Sequence, residues 1–234
     1  MAVITGANRG IGLGLARKYA GDGWRVIATA RDPSSADSLA ELRSGAAGVS
    51  LERLDVADAA SVADFAERVG DTAIDLLINN AGTMGPQPLT EHIHRQRFGG
   101  IDYDLWAEVL LTNTLGPVRL TEALADNVSA SNRRVVAMIS STAGSIGGSD
   151  RPAIAYTTSK AALNKATTII ARELAPRGVV VLALCPGHVK TRMGIGGATV
   201  EVDESVSGIA TVIDSATLAD SGRFVRYNGE AIPW

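Results

Sequence analysis

Tyr156 and Lys160 stand four residues apart near the start of a long helical pattern. At that spacing two side chains share one face of a helix, a turn apart. An ammonium held close to a phenol favours the phenolate, so such a tyrosine can exchange protons nearer neutral pH. With four tyrosines and four lysines in 234 residues, chance supplies about 0.07 such pairs. The pair therefore takes its meaning from its surroundings.

A second stretch with chemical content is Thr5-Gly6-Ala7-Asn8-Arg9-Gly10-Ile11-Gly12, which joins a short apolar run to a helical pattern. Glycines let a backbone turn sharply and approach a pyrophosphate, whose charge the helix N-terminus then stabilises. A tight turn without a ligand is the alternative reading. The next apolar run ends in Ala30-Arg31-Asp32. An acidic residue there binds the ribose hydroxyl of NAD, whereas an arginine accommodates the 2′-phosphate of NADP. Arg31 offers a planar, permanently charged fork, and Arg9 can reinforce it from the glycine turn. Asp32 either approaches a ribose or pairs with Arg31. The balance favours NADP(H) over NAD(H).

Apolar runs alternate with helical patterns along the chain and would hold these residues in place. Strands are predicted at Val3 to Thr5, Arg25 to Ala30, Val49 to Leu54, Ile74 to Ile78, Arg134 to Ile139 and Val179 to Leu184, with a short seventh at Phe224 to Arg226. Helices are predicted at Leu13 to Ala20, Ser35 to Arg43, Ser61 to Val69 and Tyr103 to Ala125, and from Tyr156 to about Ala175, where Pro176 and Gly178 stop the last. Val135-Val136-Ala137-Met138-Ile139 is apolar at every position, as a strand buried on both faces requires. This order predicts a single-domain α/β fold of the Rossmann type, a doubly wound parallel sheet of about seven strands with helices on both faces. Two stretches fit the alternation poorly: Thr83 to Gly100, expected to be a loop or short helix over the sheet edge, and the Gly-rich loop Gly194 to Glu204. Both are candidate substrate walls, with surface loops without function as the alternative reading.

Composition narrows the classes of partner. Apolar residues make up 46% and charged residues 20%, which excludes a disordered chain. A formal net charge of −3 argues against nucleic acid or an anionic membrane surface as partner. The single Cys185 rules out an intrachain disulfide and fits a reducing compartment. The start of the chain carries no basic, apolar leader, and the longest apolar run, Val179 to Cys185, is far short of the ~20 residues of a membrane span. A soluble, cytoplasmic protein is expected. His92 and His94 bring no third ligand near them in sequence, so no metal site is expected.

With the glycine turn and the Tyr/Lys pair together, the chain resembles the short-chain dehydrogenase/reductase family. The resemblance extends through Asp55-Val56, Asn79-Asn80-Ala81-Gly82, Asn113, Ser141 and Pro186-Gly187-His188-Val189-Lys190-Thr191, in the family's order. Within the family it is similar to the small C-factor/sniffer-type, carbonyl-reductase-like members. Thr29-Ala30-Arg31-Asp32, Asn113-Thr114-Leu115-Gly116-Pro117 and the stretch from Phe224 through Pro233-Trp234 carry that closer likeness.

The resemblance implies an oxidoreductase acting on a small-molecule carbonyl/alcohol pair by hydride transfer from NADP(H). Tyr156 would be the general acid/base, Lys160 would lower its pKa and bind the nicotinamide ribose, and Ser141 would hold the substrate oxygen. Ser141 is chosen over Ser140 because it lies three residues before Gly144. Asn113, in the long helix, would hold a water linking Lys160 to solvent. Gly6, Asn8, Arg9, Gly10, Ile11, Gly12 and Arg31 would cradle the cofactor's phosphates. Asp55 and Val56 would meet the adenine, and Asn80, Ala81 and Gly82 would line the cofactor's path. Pro186, Gly187, Val189 and Thr191 would lie along the nicotinamide. His188 replaces a larger residue of many relatives and either faces the substrate or is a solvated loop residue. Relatives pair through the helices at Tyr103 and Tyr156, so a homodimer or homotetramer is a further expectation. Two other readings share the fold. A cofactor-binding signalling protein with little turnover would not need the intact Asn113, Ser141, Tyr156 and Lys160 set. A methyltransferase using S-adenosylmethionine would have no use for the Tyr/Lys pair.

Overall fold

A computed structural model describes residues 1–34, 37–46, 48–194 and 196–234. Seven parallel strands form one sheet: β1 (Ala2–Ile4), β2 (Val26–Ala30), β3 (Val49–Arg53), β4 (Leu76–Asn79), β5 (Val135–Ile139), β6 (Val180–Cys185) and β7 (Phe224–Arg226). Their order is β3-β2-β1-β4-β5-β6-β7. The three-residue β1 lies at the centre, with Ala2 in register with Val26 on one side and Leu76 on the other. The strand order reverses between β1 and β4, and such a switch point opens a crevice at the carboxyl ends of the strands.

Around the sheet run α1 (Gly10–Gly21), α2 (Asp37–Gly45), α3 (Ala59–Val69), the short α4 (Leu89–His92), α5 (Tyr103–Leu110), α6 (Gly116–Ala123), α7 (Ala125–Ser129), α8 (Ile154–Leu174) and α9 (Val202–Ser215). Successive strand residues point to opposite faces. Val135, Ala137 and Ile139 thus meet Leu15 and Tyr19 of α1, Leu39 of α2 and Ile209 of α9 in one core layer. Val136 and Met138 meet Phe65 of α3, Leu120 of α6 and Leu163 of α8 in the other. None of the described helices is long and apolar enough to cross a membrane.

The helix expected over Tyr103 to Ala125 is broken. α5 ends at Leu110, residues Leu111–Leu115 form a π turn, and α6 resumes at Gly116. Pro117 supplies a reason: it has no N–H, so the Asn113 carbonyl lacks its α-helical partner four residues on. Asn113 therefore sits in the wide turn rather than in a regular helix.

The loop expected from Gly194 to Glu204 stops early, because α9 begins at Val202 and Val200 pairs with Val189 in a parallel bridge. Ile195 lies outside the described residues, as do Ser35 and Ala36 at the expected start of α2. α9 itself was legible as Val202, Val206, Ile209 and Ile213 at helical spacing, yet it is absent from the sequence-based expectations. Between Thr83 and Gly100 the chain forms the short α4 and a 3-10 turn at Ile93–Gln96, the short-helix alternative expected there.

Candidate active site

Four of the chemically marked segments leave the carboxyl edge of the sheet: the glycine turn after β1, Asn80–Gly82 after β4, Ser141 after β5 and Pro186–Thr191 after β6. Around the glycine turn the backbone sets the geometry. Gly6 and Gly10 have φ of 63° and 55°, a region that side chains disfavour. A Cβ at Gly12 would come within 3.0 Å of the Gly6 carbonyl oxygen and the Asn80 amide. Asn80 Nδ2 donates to the carbonyls of Thr5 (2.8 Å) and Gly6 (3.2 Å). The Thr5 hydroxyl in turn accepts from the backbone N–H groups of Asn80 and Ala81, each at 2.9 Å. Asn80 and Ala81 are thus tied to the turn itself.

The turn opens into α1 with no side-chain cap and no acidic residue in the first helical turn. Its N-terminal N–H groups and dipole therefore face the crevice uncancelled. Arg9 sits at that end, and its guanidinium pKa is lowered by partial burial and then by the like charges of Arg192 and Arg31. Three cations converge here, of which Arg192 was not anticipated. It follows Thr191, whose methyl would touch a Cβ placed on Gly10 at 3.3 Å. The basic Lys190-Thr191-Arg192 run beside the Pro-Gly motif was the available signal.

Other expected cofactor residues frame the crevice. The Asn8 carbonyl accepts from the Ser38 hydroxyl (2.9 Å), and Ile11 packs on the core beneath. Asp55 accepts from the Ala57 N–H (3.0 Å), shaping the entry to α3, and Val56 is buried where Gly116 abuts it. Asp32 accepts from the Ser34 N–H and hydroxyl. The Pro186 carbonyl accepts from Ser205 of α9 (2.7 Å), and Gly187, at φ 86°, leaves room for the Tyr227 ring. Nε2 of His188 is buried and has no hydrogen-bond partner.

Buried side chains set the other half of the site. Tyr156 and Lys160 are 7% and 5% exposed on one face of α8. Lys160 Nζ lies 6.0 Å from the Tyr156 ring centroid and donates to the Ile139 carbonyl at 2.8 Å. The Ser141 hydroxyl accepts from the Ala143 N–H (3.1 Å), and it lies near enough to the Tyr156 phenol to lower its pKa. Ser140 instead bonds Asn164 (2.5 Å), and Asn164 reaches back to the Gly144 carbonyl (3.2 Å). The Thr142 N–H donates to Cys185 Sγ (3.3 Å). Together these bonds fix the turn that presents Ser141.

Electrostatics differ from expectation at the tyrosine. Burial pushes the Tyr156 phenol up, and the neighbouring Ser141 hydroxyl draws it partly back; Lys160 is not among the causes. Burial lowers the Lys160 ammonium to about 8.

Asn113 has its amide occupied. It accepts from the Thr83 N–H (2.8 Å) and donates to the Thr83 carbonyl (2.8 Å) and the Ser159 hydroxyl (3.0 Å). Gly82 lies between it and Lys160: a Cβ there would sit 3.2 Å from Asn113 Oδ1 and 3.7 Å from Lys160 Nζ. Gln96 is fully buried and has no counterpart in the expectations. Its Nε2 donates to the Met84 carbonyl at 2.7 Å, and its Oε1 accepts from the Tyr156 N–H at 3.2 Å. Met84, Leu89, Ala143 and Ala153 pack with Tyr156, flanked by Ile93 and Met193. Among the described residues, no three His, Cys, Asp or Glu side chains converge as metal ligands.

The family model for short chain dehydrogenase matches residues 1–198. C-signal of Myxococcus xanthus is 39% identical over 171 residues, covering 73% of this chain and 98% of its own length. Among solved structures, the NADPH-bound carbonyl reductase from chicken fatty liver superposes with a TM-score of 0.89 at 33% identity, covering all of this chain and 98% of that one. The carbonyl reductase Sniffer of D. melanogaster gives 0.90 at 28% identity with the same coverage.

Proposed function

Because the chain belongs to the short-chain dehydrogenase family, an oxidoreductase family, we propose that it reduces small-molecule aldehydes or ketones with NADP(H), or runs the reverse oxidation of the alcohols. The observation that carries this reading is the buried Tyr156 and Lys160 pair one turn apart on α8, with Ser141 near the phenol.

The residues at the glycine turn fit such a cofactor. The uncapped start of α1, the missing room for a Cβ at Gly6 and Gly12, and the convergence of Arg9, Arg31 and Arg192 all suit a phosphate-rich dinucleotide. The NADPH in the chicken carbonyl reductase supports the choice over NAD(H). When bound, the nicotinamide supplies the hydride.

The chain's own residues handle the proton. Tyr156 donates its phenolic proton to the substrate oxygen while Ser141 hydrogen-bonds the same oxygen. Burial keeps Tyr156 protonated, which is the form a donor needs. The phenolate left behind lies near Lys160, whose ammonium is retained at pH 7 and lost above about pH 8, in a dry setting where charge acts strongly. Asn113 holds Thr83 and Ser159, and so places the substrate wall against α8. The apolar side chains around Tyr156 suit a substrate with an apolar substituent beside its carbonyl.

NADPH oxidation against a panel of aldehydes, ketones and quinones tests the reading. Tyr156→Phe is expected to lower kcat by roughly 10³-fold while leaving NADPH affinity, followed by fluorescence titration, unchanged. Parental turnover in that variant would overturn the assignment. NADPH binding without turnover of any substrate by the parent protein would favour the signalling reading.

A further inference from the structure

Gln96 lies in a segment that matches no motif, yet it is the point where that segment meets the proposed proton donor. Tyr156 occupies the third position of α8, where a helix leaves its N–H groups without internal partners. Ala153, at the N-cap, provides no side-chain cap. The Tyr156 N–H is satisfied from another element instead, by Gln96 Oε1 at 3.2 Å across 60 residues of sequence. The other end of the same amide donates to the Met84 carbonyl at 2.7 Å, and Met84 packs with the Tyr156 ring. The site is built closely around it. A Cβ at Gly85, whose φ is 88°, would lie 3.3 Å from Gln96 Nε2. One fully buried amide thus fixes both the backbone of Tyr156 and the wall beside its ring.

We propose that Gln96 is a positioning residue for catalysis, holding Tyr156 in register with Ser141 by bridging the Tyr156 N–H and the Met84 carbonyl. The proposal rests on Tyr156 being the proton donor. Because the bridge is fully buried, its loss moves the phenol relative to Ser141, and a displacement of about 1 Å can cost on the order of 100-fold in rate. The Gln96 bonds run to Met84 and Tyr156 rather than to the glycine turn, so NADPH affinity should not follow.

A separate tie allows loop anchoring to be told apart from positioning. The neighbouring Arg95 pairs with Asp102, which caps α5, and so closes the same loop without touching Tyr156. The experiment compares Gln96→Met, Gln96→Glu and Arg95→Ala with the parent, using steady-state kinetics on its best carbonyl substrate and NADPH fluorescence titration to count folded sites. Gln96→Met, close in shape and lacking both bonds, is expected to lose at least tenfold in kcat per folded site, with NADPH affinity within twofold of the parent. Gln96→Glu, held protonated by its burial, keeps the acceptor for the Tyr156 N–H and offers an O–H to the Met84 carbonyl, and is expected to recover most of that loss. Arg95→Ala is expected to stay within twofold of the parental kcat. A parental kcat in Gln96→Met, an equal loss in Gln96→Glu, or an equal loss in Arg95→Ala would each overturn the proposal. Should Gln96→Met fail to fold, the contrast between Gln96→Glu and Arg95→Ala decides it. If Tyr156→Phe retains turnover, the assignment of the proton donor fails, which is a different result from any of these.

Discussion

The two ends of the cleft are built by different means. At the glycine turn the shape comes from backbone: positive φ at Gly6 and Gly10, no space for a Cβ at Gly12, and carbonyls held by Asn80. At the tyrosine end it comes from buried side chains reaching across the fold, with Asn113 joined to Thr83, Asn164 to Gly144, and Gln96 to both Met84 and Tyr156. A backbone-built site can be damaged by adding one methyl group. A side-chain-built site gives way when a single amide is removed. Substitutions at the two ends should therefore fail in different ways.

The largest effect is expected at Gly12. Gly12→Ala forces a Cβ into the Gly6 carbonyl and the Asn80 amide. The backbone must shift, at a cost of about 1–3 kcal/mol in stability, and the phosphate-facing turn shifts with it. Loss of measurable NADPH binding and a lower Tm should appear together in titration and thermal melts. Parental affinity in this variant would mean that the turn's shape is not what holds the cofactor.

Lys160→Met should separate stability from turnover, as the side-chain-built end predicts. Lys160 falls from an unfolded value of 10.5 to about 8 on burial. Between those values the unfolded chain holds more protons, so this group's contribution to stability rises with pH from about 8 to 10.5. At pH 7 the folded protein still carries the buried charge and its full penalty. Methionine removes that penalty, less the cost of unpairing the Ile139 carbonyl, and Tm at pH 7 should rise by several degrees. Turnover should fall by on the order of 100-fold, because the Tyr156 phenolate loses its nearby cation. In the parent, carbonyl reduction should likewise decline as pH rises through about 8. A lower Tm in the variant, with a flat pH profile in the parent, would show that Lys160 is not held as a costly cation.

The same contrast explains what could be read from sequence. Glycine positions, the strand-to-helix turn and the Tyr/Lys spacing are local, and they carry their geometry within a few residues. The break at Asn113 was also within reach, since Pro117 removes the N–H that an α-helix there would need. α9 was missed although Val202, Val206, Ile209 and Ile213 repeat at the helical period. Gln96 was beyond reach: a glutamine in a segment rich in polar residues carries no signal until folding brings it beside residue 156, 60 positions away. The upward shift of Tyr156 has the same origin, since it is set by burial among distant segments rather than by its neighbour on the helix.

The smallest effects should come from the arginines, and they sharpen the comparison by asking whether charge or backbone holds the cofactor. Arg31→Ala removes a fork suited to the 2′-phosphate and should weaken NADPH by roughly 10- to 100-fold, leaving NADH nearly unchanged. Arg192→Ala should do less, because the residue is exposed; surface charges contribute about 0.2–1 kcal/mol, or roughly 1.4- to fivefold in affinity. That loss should fall equally on NADPH and NADH if Arg192 faces the shared pyrophosphate, and it should shrink in high salt. Repulsion works in the other direction, since Arg192 and Arg31 both depress the Arg9 pKa in the free protein. Removing Arg192 relieves part of that strain before any anion arrives. Titration of both cofactors at low and high salt gives the balance. Tighter NADPH binding by Arg192→Ala would mean that relief outweighs attraction, leaving the glycine backbone as the principal holder of the phosphates.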